Sequence, residues 1–108
     1  MSEAEWRLLN CLLVDIMDCE ERVKFRDVEV VTMNDGGMGS FALRGACPGL
    51  KKLAVEAMSK DSDGTELLIS LFCDCSGKPA EVDIWKVDFS PLCVFPDPET
   101  LKFLPPIG

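Results

Sequence analysis

The sequence predicts an α+β fold, with an N-terminal amphipathic helix packed on an antiparallel sheet of about four or five strands. Three observations carry that reading. The first is a helical-period apolar stripe at the start of the chain. The second is a pair of apolar runs in its second half, each introduced by turn chemistry. The third is punctuation by Gly, Asx and Pro at short, strand-like intervals. With 108 residues the chain can bury one modest core. It shows no repeat or linker, so 1–108 reads as a single domain.

Ser2-x-x-Glu5 forms a capping box, in which the serine oxygen and the glutamate carboxylate each accept a backbone N–H that the helix leaves unpaired. Beyond it Trp6, Leu9, Leu13, Ile16 and Met17 recur at helical spacing, with Leu8 and Leu12 widening the stripe. The helix is expected over 3–19, ending where Glu20-Glu21 would meet a negative helix C-terminus. The β-branched run VKFRDVEVVTM predicts a strand over about 23–33, with an irregularity near Asp27. The glycine-dense segment Asn34 to Ser40 follows, then a short strand over 41–44 that pairs back.

Residues 50–60 fit both periods; the turn that follows tips 52–59 to a strand. That turn is Asp61-Ser62-Asp63-Gly64, where Asx side chains bond their own backbone and glycine supplies positive φ. The strand over 66–75 sets Leu67, Ile69, Leu71, Cys73 and Cys75 on an inner face. Ser76 to Pro79 turns the chain into a strand over 80–89. There the apolar side changes at Ile84-Trp85, which requires a β-bulge or burial on both faces. The tail over 93–108 is proline-rich and has room for one short turn or helix about 99–104.

A net charge of −8 argues against a nucleic acid or an anionic membrane as partner and suits a basic protein. No apolar run approaches the ~18 residues of a membrane helix. The first residues are acidic where a signal peptide is basic, and a cytoplasmic protein is expected. The six cysteines then read as reduced structural thiols. With no histidine and no C-x-x-C, no metal site and no cofactor is expected. The DSDG segment does not complete a calcium loop, because serines fall where its first and last carboxylates belong. The glycine segment lacks the lysine of a phosphate loop. Without histidine or tyrosine no catalytic constellation is recognisable, so a non-enzymatic protein is expected.

Asn34-Asp35-Gly36-Gly37-Met38-Gly39-Ser40 together with Asp83-Ile84-Trp85-Lys86-Val87-Asp88-Phe89-Ser90-Pro91-Leu92 resembles a small bacterial family of domains of unknown function, DUF6984-like, over about residues 4–92. The resemblance implies a bacterial single domain and no particular chemistry. Asp35, Trp85, Lys86 and Asp88 are the candidate recognition or clasp residues. If the glycine loop folds over the strand end, Asp35 could pair Lys86 as a clasp, and Trp85 could centre a recognition patch. Three functions are compatible with these residues. One is a binding module for a basic protein, in the manner of an immunity protein. Another is a small-molecule sensor or enzyme subunit with a pocket near Trp85. The third is a homodimer built on the helix side or the edge strand.

Overall fold

A computed structural model describes residues 1–105. The capping box forms as the sequence predicts: Glu5 N–H donates to Ser2 Oγ at 3.1 Å and Ser2 N–H to Glu5 Oε1 at 2.7 Å. It starts α1, Glu3–Leu13, whose Leu8, Leu9, Leu12 and Leu13 are buried. Burying each of those side chains is worth about 1.5–3 kcal/mol.

The helix ends earlier than the expected residue 19. Asp18 accepts Glu21 N–H at 2.9 Å and so caps a second helix, α2, Cys19–Val23. Glu20 and Glu21 therefore stand in a first turn, where the helix dipole favours them, and not at the unfavourable end.

Among the described residues six antiparallel strands form one sheet in the order β1-β2-β5-β4-β3-β6. They are β1 Val30–Thr32, β2 Phe41–Leu43, β3 Lys52–Lys60, β4 Glu66–Cys73, β5 Pro79–Lys86 and β6 Lys102–Phe103. The expected count of four or five falls short because the tail adds β6 against Ala57 and Met58 of β3, after a 3-10 turn at Pro98–Thr100. The strand expected over 23–33 is reduced to Val30–Thr32. The capped α2 takes up 19–23, and turns lead on from there with Phe25 and Val28 packed against the core. The ambiguous segment resolves to strand over Lys52–Lys60, as the following turn predicted.

That turn is built locally. Asp61 Oδ1 accepts Ser62 N–H at 2.7 Å, Asp63 Oδ1 accepts Thr65 N–H at 3.0 Å, and Gly64 takes φ +84°. It fixes the long hairpin in which Ala57 faces Ile69 and Ser59 faces Leu67, with one irregularity between Leu53 and Val55.

Alternation decides the rest. Leu67, Ile69, Leu71 and Cys73 of β4 point inward with Ala80, Val82 and Ile84 of β5 and Phe41 and Leu43 of β2, and the α1 leucines close this layer. Cys75 does not join them. The strand stops at Cys73 because Asp74 caps the next turn, its Oδ1 taking Ser76 N–H and Lys78 N–H, and Cys75 stands exposed there. No bulge occurs at Ile84-Trp85. The pairing of β5 with β4 runs unbroken from Leu67↔Lys86 to Phe72↔Glu81, and Trp85 lies on the outer face. The strand ends at Lys86 and not at 89. Among the described residues no helix is long and apolar enough to cross a membrane.

Candidate functional site

β5 carries charged side chains on both faces, and the two sets are held in opposite ways. On the inner face Lys86 continues the row Ala80-Val82-Ile84 and is 0% exposed. Its ammonium donates to Asp61 Oδ2 at 2.8 Å, Asp63 Oδ2 at 2.7 Å and the Pro91 carbonyl at 3.2 Å. Asp61 is itself buried and collects Cys93 N–H at 2.7 Å and Val94 N–H at 3.1 Å besides Ser62 N–H. One carboxylate thereby ties the β3–β4 turn to the chain leaving β5.

Burial alone would push the Asp61 carboxyl up. The N–H of Cys93, the Lys86 ammonium and the N–H groups of Ser62 and Val94 outweigh it and hold the group well below the usual carboxylate range. Asp63 is lowered by Lys86 and by Thr65 N–H. The Lys86 ammonium is raised above the usual lysine value by its bonds to Asp61 and Asp63.

Asp61, Asp63 and Cys93 bring ligand atoms within 4.8 Å of one another, a spacing that suits a cation. The donor set does not fit a resident metal, because the Lys86 ammonium already sits on both carboxylates. The cluster is a salt-bridge cage.

The glycine loop does fold over the strand end, but not through Asp35. Gly37 accepts Leu92 N–H at 3.0 Å, and Lys86 N–H points at Met38 Sδ, 3.2 Å away. Gly39 sits at φ +91°, which favours glycine, and an added Cβ would also stand 3.0 Å from Leu92 Cδ2 and press that side chain. Asp35 instead accepts Met38 N–H and Ser40 N–H, both at 3.0 Å, and shapes its own loop. The expected Asp35–Lys86 clasp is thus replaced by Asp61–Lys86–Asp63. Asp88 caps the turn after β5 through Ser90 N–H at 3.0 Å and Ser90 Oγ at 2.6 Å.

On the outer face of β5 stand Glu81, Asp83 and Trp85, opposite Phe72, Ser70 and Leu68 of β4. The buried side chains of α1 all join the inner layer, and α2 has none, so neither helix covers this face. Trp85 is 42% exposed and its ring centroid lies 5.9 Å from that of Phe89, which is 69% exposed. Phe89 holds φ +61°, in a turn closed by its N–H to Lys86 O at 2.8 Å.

Asp83 Oδ1 is buried without a hydrogen-bond partner. Desolvation, the Glu81 carboxylate beside it and the charge of Asp35 push this carboxyl up to about 7, against the pull of Lys51. Lys51 reaches only Glu81, at 4.0 Å.

Of the four candidates from the sequence, the structure thus brings Trp85 to the outer face and Lys86 to the inner cage, and leaves Asp35 and Asp88 as local caps. Asp61, Asp63, Glu81 and Asp83 were missed as participants. Period-two alternation held the signal for Glu81 and Asp83, and for Lys86 needing a carboxylate, but not for which carboxylates reach it. It sets Lys86 on the apolar row, where a lysine needs carboxylates, and sets Glu81, Asp83 and Trp85 together on the other.

A cleft of about 550 Å³ lies elsewhere, lined by Ile16, Leu53, Val55, Phe103 and neighbours at the β3 edge; Trp85 does not line it. A family described as a domain of unknown function, DUF6984, matches residues 1–96. No curated protein and no solved structure matches the chain.

Proposed function

The chain belongs to the DUF6984 family, whose description assigns no activity, and from that premise we propose that it is a non-enzymatic protein-binding module docking through the outer face of β5. The observation that carries this reading is the Trp85–Phe89 pair: two large rings, 42% and 69% exposed, packed on each other at the end of a strand. Aromatic anchors of this kind dominate the energetics of interfaces. A second feature supports it. Phe89 is a bulky residue held at φ +61°, a conformation costing about 1–3 kcal/mol, and its ring is left in solvent. A fold gains nothing by straining its backbone to expose a phenylalanine. The Lys86 cage directly beneath ties the strand end to the β3–β4 turn and to Pro91, which favours a low ordering cost of binding. The net charge of −8 favours a basic partner.

The test is capture by the tagged protein from native cell lysate at low salt, read by mass spectrometry, beside a Trp85→Ala variant shown to be folded by circular dichroism. The expected result is one stoichiometric basic protein, released by salt and absent from the variant. No partner, or one that the variant retains undiminished, overturns the reading.

A further inference from the structure

We propose that the outer face of β5 receives an arginine side chain of a basic protein partner, its guanidinium on the Asp83 carboxylate and its plane against the Trp85 ring. This rests on the binding-module reading and names the chemistry of the partner.

The carboxylates held in the cage and in the turns are already matched. Asp61 and Asp63 are matched by Lys86, and Asp35, Asp74 and Asp88 by N–H and hydroxyl donors of their own turns. Asp83 is the exception among the described residues: its Oδ1 is buried with no donor of the chain on it, and its neighbour is a second carboxylate, Glu81, with which it shares a proton. A poorly solvated carboxylate pair with no cation of its own carries a desolvation penalty, which a guanidinium on its accessible side would relieve.

The charges around it favour a cation. Glu81 lies two residues earlier on the same face, Asp35 approaches from the glycine loop, and Glu56 of β3 sits one strand beyond Ser70 in the same row. Among the groups that shift Asp83, Lys51 is the one positive charge, and its nearest contact is to Glu81. Trp85 stands about 7 Å from Asp83 along the strand, two residues on and on the same face. Arginine spans that geometry and lysine does not. A guanidinium can give two parallel N–H bonds to a carboxylate while lying flat on an indole, whereas an ammonium offers a point charge.

A proton is linked to this binding. Glu81 and Asp83 cannot both ionise cheaply, because two negative charges share a poorly solvated site, and a guanidinium entering the site displaces the proton Asp83 holds. With the Asp83 carboxyl at about 7, affinity for the cation rises about tenfold between pH 6 and pH 8.

The test uses a nona-arginine peptide, with nona-lysine beside it, titrated at low ionic strength and read by amide and indole chemical shifts. The expected shifts concentrate at the Trp85 indole and at Glu81, Asp83 and Ser70. Arginine is expected to bind about tenfold tighter than lysine, and Asp83→Asn to weaken arginine binding about tenfold and flatten its pH dependence. Shifts spread evenly over the acidic surface, equal binding of the two peptides, or an Asp83→Asn variant that binds as tightly as the wild type overturns the seat. Capture of the natural partner separates this failure from that of the module. A partner lost with Trp85→Ala but kept by Asp83→Asn sinks the arginine seat alone.

Discussion

The two faces of β5 handle buried charge in opposite ways. On the inner face Lys86 meets two carboxylates and a carbonyl at hydrogen-bond distance, and every charge has a partner inside the chain. On the outer face, within the same few residues, Asp83 keeps an oxygen with no partner and Glu81 has a lysine only at 4.0 Å. The difference is completeness. A cage with matched charges serves the fold, and a site with unmatched charges on an exposed aromatic face suits the basic partner proposed above.

The largest break in that comparison comes from emptying the cage. Lys86→Met removes the cation that faces Asp61 and Asp63 and leaves Asp61 ionised in a dry site, the case in which truncating one partner of a buried pair is strongly destabilising. The melting temperature is expected to fall by about 15 °C in a circular dichroism melt. A loss under about 3 °C would show the cage to be ornamental. The same cage sets the acid limit. Asp61 and Asp63 have folded-state values below those of the unfolded chain, so their contribution is complete above about pH 4 and lost as pH falls through the folded values. In Lys86→Met that acid limb flattens, because the cation that lowers both carboxyls is gone.

How much of this the sequence held depends on whether the signal was local. The Ser2–Glu5 box, the DSDG turn and the alternation of β4 are local, and each is found where the residues point. The β-branched run at 23–33 misled, because one capped turn at Asp18 and the packing of Phe25 and Val28 outweigh strand propensity. β6 was invisible, since two residues between prolines carry no period and are strand only through Ala57 and Met58. For the site, the sequence joins Lys86 to Asp35, whereas in the fold Lys86 meets Asp61 and Asp63 and Trp85 stands on the opposite face. Asp61 reaches Lys86 because Leu67 and Lys86 are paired across the strands, a register that only the folded hairpin fixes.

A smaller effect of opposite sign belongs to the outer face. Asp83→Asn replaces the proton shared with Glu81 by an amide N–H that cannot be titrated away. The folded carboxyl, at about 7, lies above the ~3.9 of an unfolded chain. Below about pH 4 both states hold the proton and Asp83 adds nothing. Between about 4 and 7 the unfolded chain releases it first, so wild-type stability declines through that window and stays reduced above it. The variant is therefore expected to match the wild type at pH 4 and to melt about 5 °C higher at pH 8, a figure that allows for solvent screening at this half-buried site. Equal melting temperatures at both pH values would mean that the outer face carries no unbalanced charge.

The finest distinction concerns Phe89, where the strain attributed to the outer face is separable from the ring it displays. Phe89→Ala and Phe89→Gly both delete the ring and its contact with Trp85, so they lose the same packing. Only glycine takes φ +61° without the Cβ clash that an L-residue meets there. The glycine variant is expected to be more stable than the alanine variant by about 1 kcal/mol in urea titrations, and both to lose partner capture equally. Equal stability would show that the turn stores no strain, leaving the exposed ring as an ordinary surface residue. A glycine variant that gains stability while losing its partner would show that the backbone cost at Phe89 is borne for binding.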